Sequence, residues 1–443
     1  MVASVRTTPY VIEGPVPAGF AAGRVVLVAA LLAAPLAFGA VQAWAWAAMY
    51  TAVAAALLCW AFASLHERAA RVIWTPLYIP FVLFVAIAGL QWLTGHASDP
   101  MATREGLIKS AGNFLIFFLA VNLFGGASQR IWRRIGWCVA MFSLALAVFG
   151  IIQFFSDPER VYWTVKPRYG GYIFGPYISH NHYAGLMEML VAITLAFFLS
   201  MRREQSERAL IAFAVLVAMI SVVLSGSRGG TMALVIEGAL FALVMVKNHW
   251  RRRAIAALAL VVVLASLWLL PAGVAERFSV GDRTRDVSYT FRKGMTLDSL
   301  RIFRDYPLSG IGVGGFEAVY PRYQSFATNL VLDYAHNDYA QLLAETGVFG
   351  GTLALLSLAL FLAGFWMAVG SPLLSQRAWL QIGAFIGCMG LLVHSWVDFN
   401  LHIPANAAWF AFLVGLTQAG SAAMQLHEPR RSSTDMLVST HSV

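Results

Sequence analysis

Long apolar runs alternate with short polar connections along most of the chain. A helix that crosses the hydrocarbon core of a bilayer needs about 20 mainly apolar residues. Runs of that order recur at 22–41, 44–64, 73–93, 107–124, 135–155, 182–201, 210–226, 230–247, 254–271, 345–369, 379–397 and 405–420. The fourth is the weakest, because Lys109 and Asn113 interrupt it. The pattern predicts an all-α polytopic membrane protein with about 12 transmembrane helices and a large loop between spans nine and ten. Its expected parts are an N-terminal segment (1–21), spans one to nine (22–271), the large loop (272–344), spans ten to twelve (345–420) and a polar tail (421–443).

Composition points the same way. Of the 443 residues, 59% are hydrophobic and 12% charged, about half the charged share of a soluble domain, so most side-chain surface faces lipid. The net charge of +9 does not indicate nucleic acid, because the arginines are not pooled in one basic stripe. They recur between spans instead: Arg68 and Arg71; Arg130, Arg133 and Arg134; Arg202, Arg203 and Arg208; Lys247 and Arg251 to Arg253; Arg377; then Arg430 and Arg431. Alternate connections carry these residues in step, which by the positive-inside rule puts both termini in the cytoplasm. The first run, from Val25 to Ala40, follows basic residues as in a signal peptide. The next begins almost at once near Trp44, so the two read as a helical hairpin. Cys59, Cys138 and Cys388 lie inside apolar runs with no pairing pattern and are expected as buried thiols.

Three segments on the opposite, non-cytoplasmic face are more than connectors. The first, 156–181, carries Arg160, Lys166, Arg168, Tyr169 and the run Ser179-His180-Asn181 leading to His182. The second is the tight turn Ser225-Gly226-Ser227-Arg228-Gly229-Gly230. The third, 272–344, is far longer than a connection requires and rich in charge, including Arg277, Arg283, Arg285, Arg292, Lys293, Arg301 and Arg304. So many cations on the face where arginine is disfavoured suggest an anionic ligand. Within this loop, 288–305 reads as an amphipathic helix with Phe291, Met295, Leu300 and Phe303 on one face, stopped by Pro307. Ser309 to Gly315 reads as a flexible turn. It lacks the strand–turn–helix context that a nucleotide loop needs.

Candidate chemistry lies at the ends of the spans. Arg228 has two readings: an arginine snorkelling at the boundary, or a guanidinium fork holding a diphosphate beside the free amides of a helix start. Asn337 or Asp338 can cap span ten, which leaves His336 either an interfacial histidine or a base within reach of a sugar hydroxyl. His180, His182 and His336 could be imagined around zinc. No CxxC, HExxH or repeated carboxylate spacing supports that, so no metal or cofactor is expected. A GxSxG nucleophile signature is also lacking.

Taken in order, the turn around Arg228, Arg292 upstream of Pro307-Leu308-Ser309-Gly310-Ile311-Gly312, and His336-Asn337-Asp338-Tyr339 running through Glu345-Thr346-Gly347 to Gly350 resemble the O-antigen ligase and polymerase superfamily. Phe174-Gly175, His180-Asn181 and Tyr183-Ala184 resemble the element before the corresponding family helix. The likeness spans roughly 135–420. It implies a fold related to the GT-C glycosyltransferases, a multi-pass protein of the bacterial inner membrane and a periplasmic active site. The implied activity is metal-independent, inverting transfer of a glycan from an undecaprenyl diphosphate-linked donor to the lipid A core. By position, Arg228 and Arg292 would bind the diphosphate and His336 would be the base. Arg168, His180, Asn181, Arg301, Arg304, Asn337 and Asp338 would be accessory. Three other readings stay open: an O-antigen or exopolysaccharide polymerase extending lipid-linked repeat units, a lipid-linked glycan transporter, and a structural assembly protein. The second histidine, His182, and the stretch Trp396-Val397-Asp398-Phe399-Asn400 do not map onto a family role.

Overall fold

A computed structural model describes residues 18–66, 72–167, 172–201, 205–246, 287–328, 331–369 and 375–419. Arg168 and the predicted ninth span, 254–271, lie outside the described residues. The α-helices are α1 (Ala18–Leu36), α2 (Ala43–His66), α3 (Tyr78–Leu93), α4 (Pro100–Phe124), α5 (Gln129–Ser156), α6 (His180–Ser200), α7 (Gln205–Leu224), α8 (Arg228–Val246), α9 (Val287–Asp305), α10 (Phe316–Val319), α11 (Asp338–Val369), α12 (Gln376–His394) and α13 (Pro404–Gln418). Among the described residues there is no β-strand, only isolated bridges. Nine of these helices are long and apolar enough to cross a membrane, and α3 is apolar but shorter. The chain is an all-α polytopic membrane protein.

Polar residues inside the fourth apolar run do not break its helix. Asp99 caps α4, its Oδ1 accepting the amides of Met101 and Ala102, with Pro100 opening the first turn. Lys109 lies 3.6 Å from Glu105 one turn earlier, and Asn113 Oδ1 accepts the Tyr50 hydroxyl. The helix therefore starts at Pro100, ahead of the predicted 107. Among the cysteines, Cys388 is buried, whereas Cys59 and Cys138 are only half-buried.

Helix α6 is the centre of the bundle. Most of its side chains are buried, and it packs against α5, α7, α8, α12 and α13. Lipid gives apolar helices no hydrophobic reason to associate, so close backbone approach has to provide the attraction. On α12, Gly383 and Gly387 allow it. A Cβ added at Gly383 would lie 2.5 Å from Ala196 Cβ, and one at Gly387 would lie 2.9 Å from Met189 Cα.

The two ends of the bundle differ. At one end Arg133 meets Glu207 at 2.8 Å, Arg208 donates to the Met201 carbonyl, and Arg377 donates to the Ala419 carbonyl beside the Trp132 ring. The other end gathers the α3–α4, α5–α6, α7–α8 and α12–α13 connections with the segment from α9 to α11. That segment has a small core of its own, formed by Met295, Ile302, Ile311, Phe316, Val319, Tyr320, Ala335 and Ala344. Helix α9 is amphipathic, but Leu300 is 41% exposed and Ile302 takes the inward place. Met295 and Ile302 lie on one face with buried Asp298 and Ser299 between them, and this polar interruption obscures the stripe.

The turn from Ser309 to Gly315 is held, not flexible. Helix α11 kinks at Gly347, where φ is 62° and ψ −157°, so the Ala344 and Glu345 carbonyls leave the helical ladder. The loop takes them: Ile311 N donates to Ala344 O and Gly312 N to Glu345 O, while Val348 N and Phe349 N donate to the carbonyls of Pro307 and Leu308. These two carbonyls and two amides, displaced by the kink, thus find partners, as buried backbone requires. Gln91 of α3 completes the seam, its Nε2 donating to the carbonyls of Ser309 and Glu345.

Candidate functional site

The turn after α12 supplies a buried carboxylate, Asp398, whose side chain is 1% exposed. Three groups from distant parts of the chain converge on it. Arg292 of α9 brings Nη2 to 3.4 Å from Oδ2, and its Nη1 donates to the Val397 carbonyl. His336, just before α11, has Nδ1 3.4 Å from Oδ1. His182, in the first turn of α6, has Nε2 3.5 Å from the same oxygen. The Phe399 amide donates to Oδ1 at 2.8 Å. Burial alone would push the Asp398 carboxyl up. The charge of Arg292, with the contacts from His182 and His336, outweighs it and holds the group well below the usual carboxylate range.

His336 has a left-handed backbone, with φ at 50°. Such a conformation is uncommon outside glycine and clusters at functional positions. Asn337 follows as the cap of α11, its Oδ1 accepting the amides of Tyr339 and Ala340. Asp338 reaches the other side of the turn: its carboxylate meets His402 Nδ1 at 2.6 Å and accepts the Leu401 amide, while its own amide donates to Ser395 O. These contacts of Asn337 and Asp338 tie the start of α11 to the Asp398 turn. Burial lowers the proton affinity of His402, but the hydrogen bond and charge of Asp338 raise it above its ordinary value.

Arg228 opens α8 and is exposed. Buried Ser227 caps this helix, with Oγ accepting the Gly230 amide. A Cβ added at Gly229 would stand 2.4 Å from His394 Cδ2 and 3.1 Å from Val397 Cγ2. The missing side chain lets the Arg228 turn nest against the residues that hold Arg292 and Asp398. Behind it, His394 Nδ1 lies 3.1 Å from buried Glu188 Oε2, and His394 Nε2 is 3.5 Å from Ser227 Oγ.

The remaining candidates make contacts of their own. Arg301 pairs with Asp298 on its own helix at 2.9 Å, and Arg304 lies 3.8 Å from Asp305 at 82% exposure. His180 sets its ring edge-on to Tyr172, and Asn181 is buried at the start of α6. Among the described residues no group of three or more His, Cys, Asp or Glu side chains could hold a metal ion. Sequence reasoning left Asp398 and His182 without a role. The signal was present: an ionisable residue beside an apolar run is costly unless something holds it, and Asp398 follows such a run directly.

Comparison with known proteins adds one finding. No curated protein matches the chain. Residues 211–355 match the family model described as O-antigen ligase, a segment that contains Arg228, Arg292 and His336 but neither His182 nor Asp398. Over residues 211–355 the helical membrane chain is therefore similar to the O-antigen ligase family.

Proposed function

We propose that the chain is a glycosyltransferase of the bacterial inner membrane that moves a glycan from an undecaprenyl diphosphate-linked donor onto a hydroxyl of the lipid A core. The reaction takes place at the end of the bundle that carries α9 and the start of α11, facing the periplasm. The observation that carries this reading is the sharing of one buried carboxylate, Asp398, by Arg292 and His336.

In this mechanism Arg228 and Arg292 bind the diphosphate. Arg292 is oriented by Asp398 and the Val397 carbonyl, and a guanidinium has five N–H donors, so others remain for phosphate oxygens. The self-paired positions of Arg301 and Arg304 favour Arg292 as the second ligand. With Nδ1 directed at Asp398, His336 keeps Nε2 for the acceptor. Nε2 takes the hydroxyl proton as the acceptor oxygen forms its bond to the anomeric carbon. The anomeric C–O bond to phosphate breaks on the opposite face, and the electron pair leaves with the diphosphate. The result is inversion. Cationic donors placed at the departing oxyanion stabilise the charge that develops there, and the base adds about 10²–10⁴-fold.

The test is transfer by purified protein from a polyprenyl diphosphate-linked glycan to lipid A core, followed by gel shift of the acceptor. Arg228→Ala and His336→Ala should each abolish the shifted product; full transfer by both ends the assignment. Longer lipid-linked glycans with no lipid A product would assign a polymerase instead.

A further inference from the structure

We propose that His182 is a second positioning imidazole of this site, sharing Asp398 Oδ1 with His336 and so limiting how strongly that carboxylate supports a proton on the base. A carboxylate oxygen has about two lone-pair sites. One site on Oδ1 is taken by the Phe399 amide at 2.8 Å. The two imidazoles stand almost equally far back, at 3.4 and 3.5 Å, as two donors around one remaining site would. The Phe399 ring separates them nearly symmetrically, edge-on to His182 at 4.6 Å and to His336 at 4.7 Å.

His182 is aimed at Asp398 by its own supports. Its carbonyl accepts Asn406 Nδ2 at 2.9 Å; Asn406 also accepts the Tyr177 hydroxyl and donates to Asn400 Oδ1. The residue is 8% exposed, and its Nε2 approaches Asp398 Oδ1 at 3.5 Å without closing to a hydrogen bond, as His336 Nδ1 does at 3.4 Å. A core histidine kept only for shape would have that nitrogen satisfied. The charged and titratable groups around the two rings are Arg292 from α9, Asp398 and His394 from α12 and its turn, Asp333 ahead of His336, and Glu188 on α6, which faces His394.

When His336 takes up a proton, Oδ1 is its stabilising partner and His182 is the competitor. Without the competitor the carboxylate serves His336 alone, and the acid limb of transfer moves to higher pH.

This inference rests on the role proposed for His336, so two independent readouts are needed. The first is a ¹³C-histidine NMR titration of the detergent-solubilised full chain without substrate, with signals assigned by single-histidine substitution. The second is the transfer rate against pH. In His182→Leu the His336 midpoint and the acid limb should both rise by about one pH unit. His182→Gln, whose amide supplies an N–H to the same oxygen, should stay within about 0.3 unit of the unsubstituted protein. An unmoved His336 midpoint in folded His182→Leu overturns the proposal. If that variant does not fold, Asp398→Asn decides: the amide should shift the ring signals of His182 and His336 together, and a His182 signal that stays in place overturns the proposal. The expected NMR shift without glycan transfer in any form of the protein would support the shared carboxylate while sinking the glycosyltransferase reading.

Discussion

His336 Nδ1 and Asp398 Oδ1 stand 3.4 Å apart, although one residue precedes α11 and the other follows α12. The carboxylate is buried and the imidazole is partly open, with its side chain 29% exposed. An imidazole backed by a buried carboxylate is held in one tautomer and orientation.

Asp398→Asn tests this arrangement. The amide keeps the shape but removes the charge that orients His336 and Arg292. Transfer should fall by roughly 10⁴-fold, the loss found when an orienting carboxylate is replaced by its amide. The double variant with His336→Ala should be little worse than the worse single variant, because residues that act as a unit are not additive. Rates of the purified single and double variants, with a melting curve for each, check the prediction.

Gly229→Val addresses the Arg228 turn. A side chain there collides with His394, whose Cδ2 would lie 2.4 Å from the new Cβ. Overpacking of this kind costs about 1–3 kcal/mol and displaces Arg228 from the Asp398 turn. The variant should fold with a lower melting temperature, and the KM for the donor should rise more than kcat falls.

The pH dependence of stability follows from two groups outside the spans. Asp398 is held below its ordinary value, so its contribution is present above the unfolded value, about 3.9, and is lost as pH falls through the folded one. His402 is raised, so its contribution is complete below about 6.5 and is lost as pH rises through the folded value. The melting temperature should therefore be highest between about pH 5 and 6.5 and decline on both sides. His402→Gln should flatten the alkaline decline and Asp398→Asn the acid one, as read by thermal unfolding in detergent.

Gln91→Ala probes the seam between α3 and the loop. The side chain donates to the carbonyls of Ser309 and Glu345 and accepts the Val313 amide. Its loss leaves buried groups unpaired, at about 1–3 kcal/mol each. The 287–337 segment should be cut faster in limited proteolysis, while the distant Arg133–Glu207 contact between α5 and α7 keeps that end of the bundle intact.

By itself the sequence determined the class of the molecule, because apolar length is a local property and lipid demands it of each helix separately. The family resemblance over 211–355 was legible too, since the turn around Arg228 and the run from His336 to Gly350 are contiguous motifs. Finer features were not. Leu300 looked inward and Ile302 did not, because buried Asp298 interrupts the stripe on α9. The glycines after Pro307 looked like a flexible turn, because the carbonyls that hold them belong to the α11 kink. Only the tertiary structure decided that Asp398 gathers Arg292, His336 and His182, since these side chains come from four separate segments brought together by helix packing. A buried charge needs partners, but the linear sequence does not say from which segments they come.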